Sequence, residues 1–481
     1  MNVELLIDSK NVGASNGKTF ERIDPITGEL ASRAAAATKE DVNRAVMSAQ
    51  EAFKTWSKTG PNERRQLLLK AADIMEAKSA EFEQRMLTEI GATKMWAGFN
   101  SMLSAGLLRE AAAITTQVGG DVIPSNKAGT LSMSVHKPKG VCVGIAPWNA
   151  PVILATRAVA MAIACGNTVI LKVSELCPAT QTLIGQIFTE AGFPAGVLNV
   201  LSNAPENAPD IVKALIEHPQ VKHINFTGST AVGRIIGRLA AENLKPALLE
   251  LGGKAPLIIL EDADLDGAVN AALFGAFMNQ GQICMSTERL IVHHQVADEF
   301  SQKLSQRAAQ LTAGDPRGDA ILGSLVSLEA AEKMHQLIQD ALSKGATLTA
   351  GGGIQGTIVE ATLLDNVTAD MRVYQEESFG PVKSIIRVNS VEEAIVVAND
   401  TEYGLSAAVF TQNIQRALSV ASQIESGICH INGPTLGDEP QMPFGGVKNS
   451  GYGRFGGTSS IAEFTDLRWI TIENPKQHYP I

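Results

Sequence analysis

Between residues 141 and 251 short apolar runs alternate with longer helix-like stretches. Strands are expected at 141–146, 168–173, 197–201, 221–226 and 247–251, with helices at 151–164, 178–191, 207–217 and 231–243. Near-continuous apolar strands separated by helices cannot be paired by hairpins. They form a parallel sheet covered by helices on both faces, so the fold class is α/β. Ligands of such sheets bind beyond the carboxyl ends of the strands, which is where chemistry is sought.

A chain of 481 residues exceeds what one core usually organises, so two or three domains are expected. Residues 1–35 read as a short β region, and 38–118 as helices of mixed charge forming a solvated outer layer. Leu131, Met133 and Val135 alternate with Ser132, Ser134 and His136, the pattern of a half-exposed strand in a protruding hairpin. A second α/β region runs from Pro256 to about Gly445, with strand candidates at 289–293, 383–388 and 407–410. The tail through Trp469, Ile470, Thr471 and Ile472 reads as an edge strand.

A net charge of −10 and the lack of a long basic run exclude a phosphate-neutralising face, so no nucleic acid is expected. Residues 1–10 carry Glu4 and Asp8 and no apolar core of signal-peptide length. The most apolar stretch, 151–164, contains Arg157 and is too short for a bilayer, so no membrane partner is expected. Five widely spread cysteines suit a reducing cytoplasm rather than a disulfide framework. The eight histidines make no ligand spacing with one another or with cysteine, so no metal is expected.

Chemistry concentrates in the stretch 279–288. Cys284 sits there just after Gly281, among Gln280, Gln282, Ser286 and Thr287. A packing cysteine usually lies in an apolar run; a glycine-loosened polar stretch suits an accessible nucleophilic thiol. Other candidates lie at strand ends. Gly228 and Ser229 close one strand and open a helix, which makes either an anion site or a plain capped helix. Its glycine spacing resembles a P-loop, but Arg234 and Ile235 replace the required lysine and hydroxyl, so an ATP site is rejected. Gly451 to Gly456 fits G-x-G-x-x-G but joins no clear strand to a clear helix. Lys172 and Glu175 stand at a rim where they hold ribose hydroxyls or form a solvated pair. Glu250, before Gly252 and Gly253, is a base or a partner of Lys254 or another cation. Asn149, after Pro147 and Trp148, is an oxyanion donor or a turn residue.

Taken together these segments resemble the NAD(P)-dependent aldehyde dehydrogenase superfamily, from about residue 20 to the C-terminus. The carrying motifs are Pro147-Trp148-Asn149, 172–175, 226–230, 249–254, Gly281-Gln282-Ile283-Cys284, 376–382 and Pro443-Phe444-Gly445-Gly446. Within it the chain is most similar to bacterial aromatic aldehyde dehydrogenases of the vanillin and salicylaldehyde kind. Residues 147–154, 279–289, 426–434 and the ending His478-Tyr479-Pro480-Ile481 carry that closer likeness.

The resemblance implies a Rossmann-like cofactor domain (1–118 and 139–252), an α/β catalytic domain (253–460) and a small β oligomerisation element (119–138 and 461–481). It implies a homodimer or homotetramer. Cys284 attacks an aromatic aldehyde, while Asn149 and the Cys284 backbone N–H stabilise the oxyanion. Hydride then passes to the nicotinamide, and Glu250 activates the water that hydrolyses the thioester. The cofactor is NAD, with NADP weaker. It would be held by Pro147, Trp148, Lys172, Glu175, Gly228, Ser229, Gly233, Leu251, Glu377 and Phe379. Trp96, Arg157, Ile283 and Met285 would surround the substrate.

Two departures stand out. Val173 replaces a proline frequent after the lysine. Ala158 and Phe455 occupy the places of a lysine–glutamate pair proposed as a proton relay in many relatives, leaving Glu250 and water. Competing readings are an aliphatic or semialdehyde substrate, transfer of the thioester to coenzyme A, and a non-catalytic protein on the same fold. Retained Glu250 favours hydrolysis, and intact Cys284, Glu250 and Asn149 favour catalysis. For Arg157 and Trp96 the alternative is a carboxylate partner for the first and simple core packing for the second.

Overall fold

The computed structural model describes residues 1–476, 479 and 481. His478 and Pro480 of the C-terminal likeness lie outside the described residues. The alternation of strand and helix forms one sheet, in the order Gly451–Tyr452, Ala247–Glu250, Val221–Thr227, Val141–Ile145, Thr168–Lys172, Leu198–Leu201, Leu5–Ile7, Lys10–Val12. The five central strands run parallel, and the flanking three pair antiparallel. From Val141–Ile145 the chain winds outward one way, then returns to wind the other way. The point of reversal lies between Val141–Ile145 and Val221–Thr227, the place where doubly wound sheets open a crevice for ligands.

The helices follow from caps and periodicity. Lys39–Trp56 starts with a reciprocal capping box between Thr38 and Asp41 and buries Val42, Ala45, Val46 and Ala49 on one face. Pro61–Ala77 and Pro151–Ala164 both begin with proline, whose missing N–H is harmless in a first turn. Every residue of Pro151–Ala164 is buried. The expectation of a solvated outer layer fails for Lys94–Ile114. That helix buries Trp96, Asn100, Ser101 and Ser104 with its apolar residues, because it packs against Pro151–Ala164.

A second sheet runs Thr347–Ala350, Thr362–Asp365, Val382–Val388, Thr287–His293, Ala255–Ile259, Ser406–Phe410, Ile428–Ile431. It is parallel except at the Thr347–Ala350 edge. A third, antiparallel sheet joins Gly120–Val122, Leu131–Pro138 and Thr465–Ile472. Its facing is the reverse of the alternation expected. Ser132 and Ser134 are buried while Leu131 is exposed, because Trp469 Nε1 donates to Ser132 Oγ at 2.7 Å and the Asp121 N–H donates to Ser134 Oγ at 3.3 Å. No helix among the described residues is long and apolar enough to cross a membrane.

Candidate active site

The loop before Thr287–His293 carries Cys284, and its backbone is unusual. Asn279, Gln280 and Gly281 lie consecutively at φ of 48°, 54° and 72°. A left-handed conformation at two non-glycine residues persists only where the surroundings over-determine it. Here the side chains do that. Asn279 Nδ2 donates to the Asn149 carbonyl at 3.0 Å, Gln280 Nε2 to the Ser324 carbonyl at 3.0 Å, and Ser286 Oγ to the Gly275 carbonyl at 3.0 Å. Gln282 Oε1 accepts the Val326 N–H at 3.1 Å. A side chain at Gly281 would meet the Gly380 carbonyl oxygen at 2.3 Å. The reading of a glycine-loosened loop lined with polar groups is therefore corrected: Gln280, Gln282, Ser286 and Thr287 are buried and hold the loop rigid. Only Cys284 in this stretch is partly exposed.

Glu250 is the last residue of Ala247–Glu250 and is 1% exposed. Burial pushes its carboxyl up to about 7, against the opposing pull of a hydrogen bond with Cys284 and the charge of Arg157. The Cys284 thiol is itself pushed well up, by burial first and then by the Glu250 charge. Lys254 is not the partner of Glu250; it bonds Glu288 at 2.7 Å. Asn149 is clamped beside the nucleophile loop. Its Nδ2 donates to the Gln282 carbonyl at 3.0 Å, and its own carbonyl accepts Trp96 Nε1 at 2.9 Å.

Two cavities share Asn149, Leu154 and Cys284 in their walls. The first, of about 570 Å³, is walled by Trp96, Phe99, Phe274 and Phe444 and includes Ile283 and Met285. Arg157 lies in it, bonded to Asp438 at 2.5 Å with its guanidinium carbon 4.3 Å from the Phe444 ring centre. The alternative expected for Arg157, a carboxylate partner, is thus realised, but inside the cavity. Trp96 is 2% exposed and stacks on Phe99, yet it too forms the wall. Asp438 and the role of Phe444 were not foreseen. Phe444 sits in a motif already singled out, whereas nothing in the sequence joins Asp438 to Arg157 across 281 positions.

The second cavity, about 740 Å³, brings together Pro147, Trp148, Gly228, Ser229, Leu251, Glu377 and Phe379. Ser229 Oγ accepts the Val232 N–H and caps Thr230–Glu242, a helix N-terminus of the kind that favours an anion. A side chain at Gly233 would strike Leu251 at 2.3 Å, so glycine there lets this helix lie close on the sheet. Glu377 Oε1 accepts the Gly253 N–H at 2.8 Å, and burial pushes Glu377 up to about 7. Phe379 meets the Trp148 ring edge-on at 5.8 Å. Lys172 and Glu175 do not line this cavity; they bond each other, and Asn203 Nδ2 donates to Glu175 at 2.8 Å. A capped helix end suited to an anion, an apolar slot and the Lys172–Glu175 pair at a neighbouring strand end fit the parts of a dinucleotide.

A sequence profile of the aldehyde dehydrogenase family matches residues 12–470. A vanillin dehydrogenase of Pseudomonas fluorescens is 58% identical over 482 residues, spanning 100% of each chain. A benzaldehyde dehydrogenase of Pseudomonas putida, designated NAD(+)-dependent, is 38% identical and covers 98% of this chain and 97% of its own. The crystal structure of a salicylaldehyde dehydrogenase from Pseudomonas putida G7, complexed with salicylaldehyde, superposes with a TM-score of 0.99 at 50% identity, covering 100% of both chains.

Proposed function

The chain belongs to the aldehyde dehydrogenase family, and on that premise we propose that it oxidises an aromatic aldehyde to the carboxylic acid with NAD. The observation that carries this reading is the meeting of two cavities at Cys284, one walled by aromatic rings and the other by an anion-binding helix end.

Bound NAD supplies the acceptor for the hydride of the aldehyde. Lys172 and Glu175 would hold its adenosine ribose, Ser229 and the N-terminus of Thr230–Glu242 its pyrophosphate, and Glu377 and Phe379 its nicotinamide ribose and ring. Glu175 favours NAD because a carboxylate accepts from ribose hydroxyls and repels a 2′-phosphate.

The protein's own groups do the rest. Cys284 gives its thiol proton to Glu250, and its sulfur bonds the aldehyde carbon. The resulting oxyanion lies against Asn149 Nδ2 and the Cys284 N–H. Oxidation of this thiohemiacetal leaves a thioester on Cys284. Glu250, near neutrality, releases the first proton to solvent and accepts a second from the water that hydrolyses the thioester.

Val122, Leu467, Trp469 and Ile472 are exposed on the third sheet, which supports its role as an oligomerisation element in a homodimer or homotetramer. The separate sheets around Val141–Ile145, around Ala255–Ile259 and around Leu131–Pro138 support the division into a cofactor domain, a catalytic domain and this element. The free cysteines suit a cytoplasmic enzyme.

Steady-state kinetics with benzaldehyde, hydroxybenzaldehydes, vanillin and hexanal, each with NAD and NADP, test the reading. Aromatic aldehydes with NAD are expected to give the highest kcat/KM, and Cys284→Ala to abolish the reaction while keeping NAD binding. A preference for hexanal, or for NADP, overturns the corresponding half.

A further inference from the structure

Besides Asn149 and Cys284, the wall of the aromatic cavity contains a charged pair. Arg157 and Asp438 bond through Arg157 Nη2 and Asp438 Oδ2, and their side chains are 4% and 9% exposed. Both belong to the wall that also contains Cys284. Arg157 Nε and Asp438 Oδ1 are buried and have no partner in the protein. Buried polar atoms are almost always bonded, and an exception in a ligand cavity calls for a ligand group. Among the other wall residues named above, Asn149 offers a neutral amide oxygen, and the rest are apolar apart from the Cys284 thiol.

The two free atoms have complementary chemistry. Asp438 Oδ1 can only accept a hydrogen bond, and Arg157 Nε can only donate one. A hydroxyl does both. An ether oxygen only accepts, and a bare ring carbon does neither. We propose that Asp438, held in place by Arg157, is a specificity residue that accepts a hydrogen bond from a ring hydroxyl of the aldehyde. The substrate class is thereby narrowed to ring-hydroxylated aromatic aldehydes, a statement that rests on the aromatic reading above. Arg157 has two further jobs, pairing with Asp438 and stacking on Phe444, so Asp438 is the residue whose free atom discriminates.

The test is the ratio of kcat/KM for hydroxybenzaldehyde over methoxybenzaldehyde, measured for the ortho, meta and para pairs. A hydrogen bond to a charged acceptor corresponds to about 10- to 100-fold, so at least one pair should show a ratio in that range. Asp438→Asn should bring it to within about twofold of unity or invert it. Arg157 only donates, so the introduced amide must turn its carbonyl toward the guanidinium and present its NH2 to the cavity. An NH2 group cannot accept from a hydroxyl but can donate to a methoxy oxygen.

Ratios near one for all three pairs in the wild type overturn the proposal without any variant, which covers failure of Asp438→Asn to fold. A ratio that survives in Asp438→Asn overturns it as well, since size alone then explains the preference. Failure of the wild type on benzaldehyde and on every substituted benzaldehyde removes the aromatic reading itself, a distinct outcome.

Discussion

Two buried ionic clusters flank the catalytic loop, and they are finished to different degrees. In the first, the Glu288 carboxylate accepts from Lys254 Nζ at 2.7 Å, Lys383 Nζ at 2.8 Å, Ser378 Oγ at 2.6 Å and the Ser378 N–H at 2.9 Å. Lys254 also donates to the Glu376 carbonyl at 2.6 Å. Burial alone would raise the Glu288 carboxyl, but the two lysines outweigh it and hold it far below the usual range. In the second, Glu250 Oε1, Arg157 Nε and Asp438 Oδ1 have no protein partner. A satisfied cluster fixes one geometry; an unsatisfied one is left for substrate, water and protons. The first therefore acts as scaffold, tying the loop that bears Glu377 and Phe379 to the strand after Cys284. On the mechanism proposed above, the second is where the chemistry takes place.

Removing the base should give the largest effect. In Glu250→Gln a neutral amide cannot take the proton of water, and thioester hydrolysis should fall by about 10²–10⁴-fold. Pre-steady-state mixing should show a burst of NADH followed by slow turnover. Equal loss of the burst rate and of turnover would make the thiol proton transfer, rather than hydrolysis, the step that depends most on Glu250, and would weaken the contrast.

The scaffold cluster should respond in stability. Glu288→Ala leaves two buried lysines facing each other and should cost about 3–5 kcal/mol of unfolding free energy. Glu288→Gln should cost less. Whatever folded enzyme remains should show a raised KM for NAD more than a lowered kcat, because Ser378 no longer anchors the segment of Glu377 and Phe379. Denaturant unfolding and steady-state kinetics decide this; unchanged stability in Glu288→Ala would show that the cluster is not structural.

The contrast between the clusters also marks what a sequence carries. Pro151–Ala164 and Pro178–Ala191 match their expected bounds, because proline, periodicity and length are local signals. Glu250 and Asn149 were legible because strand ends of a doubly wound sheet are where ligands bind. The polar residues around Cys284 were legible as unusual but not as braces, since their partners at Ser324 and Val326 are distant in the chain. Glu250 was open between a base and a partner of a cation such as Lys254, and Lys254 meets Glu288 instead through the pairing of Ala255–Ile259 with Thr287–His293. Asp438 left no local trace at all. Its meaning exists only where a cavity, a guanidinium and an unpaired oxygen coincide.

Titration should give the smallest effect and the sharpest separation, because the two carboxylates shift in opposite directions. Glu250 is raised from the ordinary 4.5 to about 7. Below 4.5 it is protonated in folded and unfolded chains alike, so it leaves stability unchanged. Between those values the unfolded chain releases the proton while the folded one keeps it, at about 1.4 kcal/mol per pH unit. Wild type should therefore lose up to about 3 kcal/mol relative to Glu250→Gln between pH 5 and pH 8. Glu288 is lowered, so its contribution is present above 4.5 and drains away as pH falls below it. Unfolding free energies of wild type, Glu250→Gln and Glu288→Gln, followed from pH 8 down to as far below 4.5 as the fold survives, should show one gap opening toward alkali and the other closing toward acid. In the same window wild-type turnover should fall about tenfold per unit below neutrality as Glu250 is protonated. A Glu250→Gln gap that stays flat with pH would mean that Glu250 is already ionised and partnered, like Glu288, and the distinction between the two clusters would be lost.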